Sequence, residues 1–76
     1  MPRFPRVSGA EAVRALERLG FARVRQRGSH VTMQRQTASG ARACSVPLHD
    51  DLAIGTLRSV LRQAGVSVEE FVEALA

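Results

Sequence analysis

Apolar residues early in the chain recur at Val13, Leu16 and Leu19, with Ala12 beside them. That spacing of three and four gathers them on one face of a helix. Just ahead, Ser8-Gly9-Ala10-Glu11 fits a capping box, in which the serine accepts a first-turn N–H and the glutamate reaches back to the cap. A helix over about residues 9–19 is predicted, closed by Gly20. From Phe21 the period changes to two. In Phe21-Ala22-Arg23-Val24-Arg25-Gln26, Val24 is expected to face one way and Arg23 and Arg25 the other. Arg27-Gly28 makes a turn, after which Val31 and Met33 alternate with His30, Thr32 and Gln34. The small polar stretch Gln36 to Gly40 reads as a hairpin loop, and a third strand over about Ala41 to Val46 stops at Pro47, which lacks a ladder donor. The inward parity of that strand stays open, because alanines alternate with Arg42, Cys44 and Val46.

Leu48 to Gly55 reads as a connection with room for a helical turn. Thr56 is the expected cap of a second helix carrying Leu57, Val60, Leu61 and Ala64 and ending at Gly65. Ser67-Val68-Glu69-Glu70 repeats the capping-box pattern and starts a short last helix with Phe71, Val72 and Leu75. No internal repeat, low-complexity tract or linker interrupts this order. The expected fold is α+β: a helix, a three-stranded antiparallel meander, a helix and a short carboxy-terminal helix, in a single domain spanning residues 1–76. Such a sheet buries one face under its helices. Val24, Val31 and Met33 are expected to meet Val13, Leu16, Leu57 and Leu61 there. The open face then carries Arg23, Arg25, His30, Thr32 and Gln34, which gathers a histidine and arginines on one accessible surface.

Composition sharpens this picture. Seventy-six residues supply one small core. No run approaches the roughly 20 apolar residues that span a bilayer, and Met1-Pro2-Arg3-Phe4-Pro5-Arg6 lacks the apolar middle of a secretory signal. A soluble, cytoplasmic protein with no membrane partner is expected. Cys44 stands alone, which excludes an internal disulfide and a multi-cysteine metal site. The 11 basic residues are all arginine, against seven acids, for a net charge of +4. Nine arginines and two glutamates precede Leu48 (+7), and two arginines and five acids follow Pro47 (−3). A one-sided cationic surface attracts polyanions, nucleic acid first.

With those residues located, the chain resembles the HicA toxins of bacterial type II toxin–antitoxin systems. The matches are Ser8-Gly9 opening the first helix, Leu19-Gly20-Phe21 closing it, and above all Arg25-Gln26-Arg27-Gly28-Ser29-His30. They continue through Val46-Pro47-Leu48-His49 and Gly55-Thr56-Leu57-Arg58-Ser59-Val60-Leu61-Arg62-Gln63-Ala64-Gly65. The similarity runs from about Ser8 to Leu75, with the motifs in order. The resemblance implies a fold similar to the double-stranded-RNA-binding domain, ribonuclease activity against mRNA, and neutralisation by a HicB-type antitoxin as hetero-oligomeric partner. The family's catalytic histidine corresponds to His30, the residue that strand parity puts on the open face.

The chemistry suits these residue types. RNA carries its own nucleophile, the 2′-hydroxyl beside each phosphate. Cleavage needs that proton removed, phosphoryl charge stabilised and the departing 5′-oxygen protonated. Histidine exchanges protons near neutrality, and arginine offers planar, permanently charged donors to phosphate. His30 is therefore expected to transfer a proton, as base or as acid. Arg25 and Arg27, with Arg23 beside them, are expected to hold RNA; Gly28 would admit close backbone approach and Ser29 would orient a phosphate. No cofactor or metal is called for: His49-Asp50-Asp51 are too close in sequence to converge on one ion from an extended strand. His49 either fixes the Pro47 turn or makes a secondary RNA contact. Arg58 and Arg62, one helical turn apart, form a solvated stripe, a phosphate ridge or an antitoxin contact. The absence of Trp and Tyr argues against strong readout of unpaired bases by stacking. The competing function is a non-catalytic module that grips RNA by shape and phosphates, and a third is a pure protein-interaction domain.

Overall fold

Two reciprocal caps start the outer helices. Ser8 Oγ accepts the Glu11 N–H at 3.1 Å while Glu11 accepts the Ser8 N–H at 2.9 Å, opening α1 (Gly9–Arg18). Ser67 and Glu70 make the same pair of bonds at the start of α3 (Val68–Leu75). Between them lie β1 (Ala22–Arg27), β2 (His30–Thr37), β3 (Gly40–Pro47) and α2 (Ile54–Ala64), with the strands antiparallel in the order β1-β2-β3. The computed structural model describes residues 4–76. Met1, Pro2 and Arg3, part of the stretch read for a signal sequence, lie outside the described residues. The element order is the one expected from the sequence. Among the described residues, no helix is long and apolar enough to cross a membrane.

Two boundaries and one side chain differ from expectation. The β2–β3 loop is only Ala38-Ser39, because Gln36 and Thr37 continue β2 and Gly40 opens β3. Thr37 closes that turn itself, its hydroxyl donating to the Gly40 carbonyl at 2.6 Å and accepting the Ser39 N–H at 3.3 Å. Helix α2 begins at Ile54 with Ala53 as its cap and no side-chain cap bond, so Thr56 lies inside the first turn. The buried Leu52 next to the cap anchors this entry instead. Val72 is exposed, leaving Phe71 as the fully buried side chain of α3.

The largest departure is in β1. Ala22 and Arg23 pair with Gln34 and Met33, but Arg25, Gln26 and Arg27 pair with Thr32, Val31 and His30. Val24 is the extra residue of a β-bulge, and it is 53% exposed rather than buried. A one-residue slip moves side chains to the opposite face. Arg23 therefore shares the helix side of the sheet with Met33, where its Nε meets Glu17 of α1 at 3.3 Å. The physical reason lies in parity. Phe21, Arg25 and Arg27 are all odd-numbered, so a regular strand would turn them to one face. The bulge lets Phe21 enter the core, where it is 3% exposed, while both arginines stay outside.

The core lies between the sheet and the helices: Val31, Met33, Cys44 and Val46 meet Val13, Leu16, Leu57, Leu61 and Phe71. Burying side chains of this size contributes about 1.5–3 kcal/mol each. The helix-facing residues of β3 are thus Arg42, Cys44 and Val46, since Cys44 opposes Met33 and Val46 opposes Val31. Toward the β2–β3 turn on this face, Arg35 lies 4.8 Å from the Phe21 ring centre and donates to the Leu19 carbonyl at 2.8 Å. Arg42 lies over the end of α2, so that a Cβ on Gly65 would meet its guanidinium at 2.9 Å.

Candidate active site

The turn that carries the histidine is built by its own residues. Arg27 pairs with His30, leaving Gly28-Ser29 as a two-residue hairpin loop. Gly28 has φ +59° and, among the described residues, no non-glycine residue has positive φ, the pattern of a type II′ turn with glycine first. The Gln26 side-chain amide donates to the Gly28 carbonyl at 3.2 Å and braces the turn from below. From the other side, the Leu48 N–H donates to the Ser29 carbonyl at 2.6 Å. His30 therefore opens the central strand held on both flanks, opposite Arg27 on β1 and Pro47 on β3.

Its side chain is exposed. On the open face around it stand Arg27 directly across, Arg25 opposite Thr32, then Gln34 and, on β3, Ser45. Directly opposed residues of an antiparallel pair lie about 4.5–5.5 Å apart and diagonal ones about 7–8 Å. An imidazole and two guanidinium groups thus share a patch small enough for one phosphodiester and its neighbours. Gly28 and Ser29 are exposed at its rim, with nothing within 4 Å of where a Gly28 side chain would begin. Arg23, expected on this face, is absent from it for the reason given by the bulge.

The electrostatics follow from which arginines are already engaged. From Arg18 to His49 the chain holds no carboxylate and contains Arg18, Arg23, Arg25, Arg27, Arg35 and Arg42. Arg18 donates to the Ala74 carbonyl at the end of α3, Arg23 pairs with Glu17, Arg35 packs on Phe21 and Arg42 on Gly65. Among the described residues, Arg25 and Arg27 make no such bond, so their charge is directed to solvent on the histidine face. Arg58 and Arg62 are exposed on α2, and Arg58 stacks 5.2 Å from the Phe4 ring centre. The acids lie elsewhere, on α1, on α3 and at Asp50-Asp51, where Asp51 pairs with Arg6 at 2.6 Å.

Concavity and chemistry do not coincide. Two shallow hollows of roughly 130 and 270 Å³ lie between α1 and α3, the first lined by Glu11, Arg14, Arg18 and Leu75 and the second by Arg18, Leu19, Glu70, Glu73 and Ala74. Neither includes a sheet residue. A flat cationic face suits a polymer that lies across a surface better than a small molecule that needs enclosure. No three His, Cys, Asp or Glu side chains among the described residues come together to hold a metal ion. Cys44 is buried and burial pushes its thiol up to about 11, far from a reactive thiolate.

Sequence reasoning did not assign the residues that support the turn. Gln26, Leu48 and Gly9 hold the turn and the strand end, and two of those three act through backbone atoms that no residue pattern advertises. A comparison with curated protein sequences found no match. A family model described as "HicA toxin of bacterial toxin-antitoxin" matches residues 9–66.

Proposed function

Because the chain belongs to the HicA toxin family, and so to the toxin side of a toxin–antitoxin pair, we propose that it is an endoribonuclease that cleaves mRNA without a metal ion, using His30. A HicB-type antitoxin that covers the toxin is its partner in this reading. The observation that carries it is the exposed His30 imidazole opposite Arg27 and diagonal to Arg25, on a sheet without a carboxylate. The RNA backbone lies across the open face, its phosphates drawn by Arg25 and Arg27. At the scissile linkage the 2′-oxygen attacks phosphorus, the P–O5′ bond breaks, and a 2′,3′-cyclic phosphate and a 5′-hydroxyl form. His30 transfers a proton in this exchange, a contribution of about 10²–10⁴-fold for a positioned acid or base. Arg25 and Arg27 stabilise the growing negative charge on the phosphoryl oxygens. The Gly28-Ser29 turn gives the backbone room at the linkage.

The test is cleavage of end-labelled RNA by the purified protein in excess chelator. Expected are cyclic-phosphate products from the wild type, no cleavage by His30→Ala, and an unchanged circular dichroism spectrum for that variant. Salt-sensitive RNA binding with no scission would replace this reading by the non-catalytic RNA-binding module. Loss of cleavage on chelation would overturn the metal-independent route. Co-purification with the product of an adjoining HicB-like gene tests the partner.

A further inference from the structure

We propose that His49 is a second catalytic residue, sharing the proton transfers with His30 across the end of the β2–β3 ladder; this rests on the ribonuclease reading above. His30 and Pro47 are directly opposed, and the Leu48 N–H donates to the Ser29 carbonyl just beyond them. The ladder itself ends at Pro47, and the Leu48 bond keeps the next residue against the turn. Val46 and Pro47, the latter opposite His30, are both buried, and Leu48 packs against the core. His49, two residues past the position opposite His30, is exposed. Continuing the extended chain one residue past the Leu48 bond to Ser29 sets His49 diagonal to His30, a Cα separation on the order of 7–8 Å, within reach of two aromatic side chains meeting one linkage from either end.

Two further observations favour a chemical role. The scaffold holds His49 by its backbone, since the Gly9 N–H donates to the His49 carbonyl at 2.8 Å. Among the described residues its imidazole makes no hydrogen bond or ion pair, so the fold does not need the side chain. Moreover, the reaction moves two protons at two atoms, one leaving the 2′-hydroxyl and one arriving at the 5′-oxygen. With an imidazole at each, one accepts the 2′ proton as the P–O2′ bond forms. The other, protonated beforehand, gives its proton to O5′ as the P–O5′ bond breaks. The pair ends with its protons exchanged and nothing consumed. Arg25 and Arg27 hold the phosphoryl oxygens, for which the planar guanidinium is suited.

The experiment compares wild type, His30→Ala, His49→Ala and His49→Gln on two short RNAs. One is all-oxygen and the other carries sulfur in place of the bridging 5′-oxygen at the scissile linkage. A thiolate leaves without being protonated, so loss of the acid is repaired by this substrate and loss of the base is not. On all-oxygen RNA, all three variants are expected to slow by about 10²–10⁴-fold with unchanged melting temperatures. On the sulfur substrate, only the variants at one of the two positions should regain the wild-type rate, which identifies the acid. Wild-type rates for His49→Ala and His49→Gln on all-oxygen RNA would overturn the proposal while leaving His30 and the ribonuclease reading intact, as would a loss repaired at neither position. Absence of cleavage by the wild type would remove both.

Discussion

Gly9, the first residue of α1, lies so close to Pro47 that a Cβ there would overlap the Pro47 carbonyl oxygen and lie 2.7 Å from the Leu48 Cα. The contact is backbone against backbone, so no rotamer change relieves it. It joins the start of the first helix to the strand end opposite His30, and the Gly9 N–H bond to His49 makes it a seam.

Gly9→Ala is accordingly expected to destabilise the fold. Alanine is the better helix former by about 1 kcal/mol in a helix interior, but forcing a methyl into packed backbone costs about 1–3 kcal/mol or more. At the end of a helix the first effect shrinks and the second does not, so the overlap prevails. Thermal unfolding should show a melting temperature lower by several degrees, at about 4–8 °C per kcal/mol for a domain of this size. An unchanged or raised value would mean that the seam can open freely.

The arginines on the two faces of β1 should separate in RNA binding. Arg25→Gln and Arg27→Gln are each expected to weaken binding and to reduce the slope of log affinity against log salt by roughly 1, the signature of one lost phosphate contact. Arg23→Gln, whose charge faces Glu17 on the helix side, should leave the slope unchanged. Equal effects at all three positions would contradict the face assignment made by the bulge.

The capping glutamates tie stability to acid pH. Glu11 and Glu70 are held below the ordinary glutamate value, first by the backbone N–H of Ser8 and Ser67 and then by their hydroxyls, with Arg14 and Arg35 adding a smaller effect. A depressed folded-state value means that the unfolded chain takes up the proton first. The stabilisation is complete above the ordinary glutamate value near about pH 4.3 and is lost as pH falls below it through the folded-state values. Denaturant unfolding between pH 7 and 3 should show that loss, and Glu11→Gln/Glu70→Gln should flatten it. A slope that persists in the double variant would place the acid sensitivity elsewhere.

Cys44 supplies a check on the core. Burial holds its thiol protonated up to about 11, so a thiol reagent at pH 8 should label the native protein slowly and the denatured protein at once. Its raised value also works against the fold in alkali, because the unfolded thiol ionises first, near about pH 8.5. Prompt labelling of native protein would show that the β3–α2 packing opens readily.

How much of this was legible in the chain can be argued residue by residue. Both capping boxes, the Gly20 and Gly65 helix ends, the Gly28 turn and the alternation of Val31 and Met33 are decided within a few residues, and these were read correctly. So was the exposure of His30, because it shares a regular strand with two unmistakable core residues. Val24 and Arg23 were read to the wrong faces, since alternation presumes a register that only the partner strand sets. The entry of α2 was misplaced because Leu52 anchors it through packing rather than through a capping hydroxyl.

Local bonding and side-chain periodicity were therefore enough to define the elements, their order, and a cationic stretch with a histidine in it. Tertiary structure alone decided which arginines face outward, because a single extra residue in β1 inverts parity to bring Phe21 into the core. It alone also set His49 two residues past the strand position opposite His30. That neighbourhood depends on a strand pair closed across nineteen positions of sequence and sealed by Gly9, and no local pattern encodes a contact made between backbones.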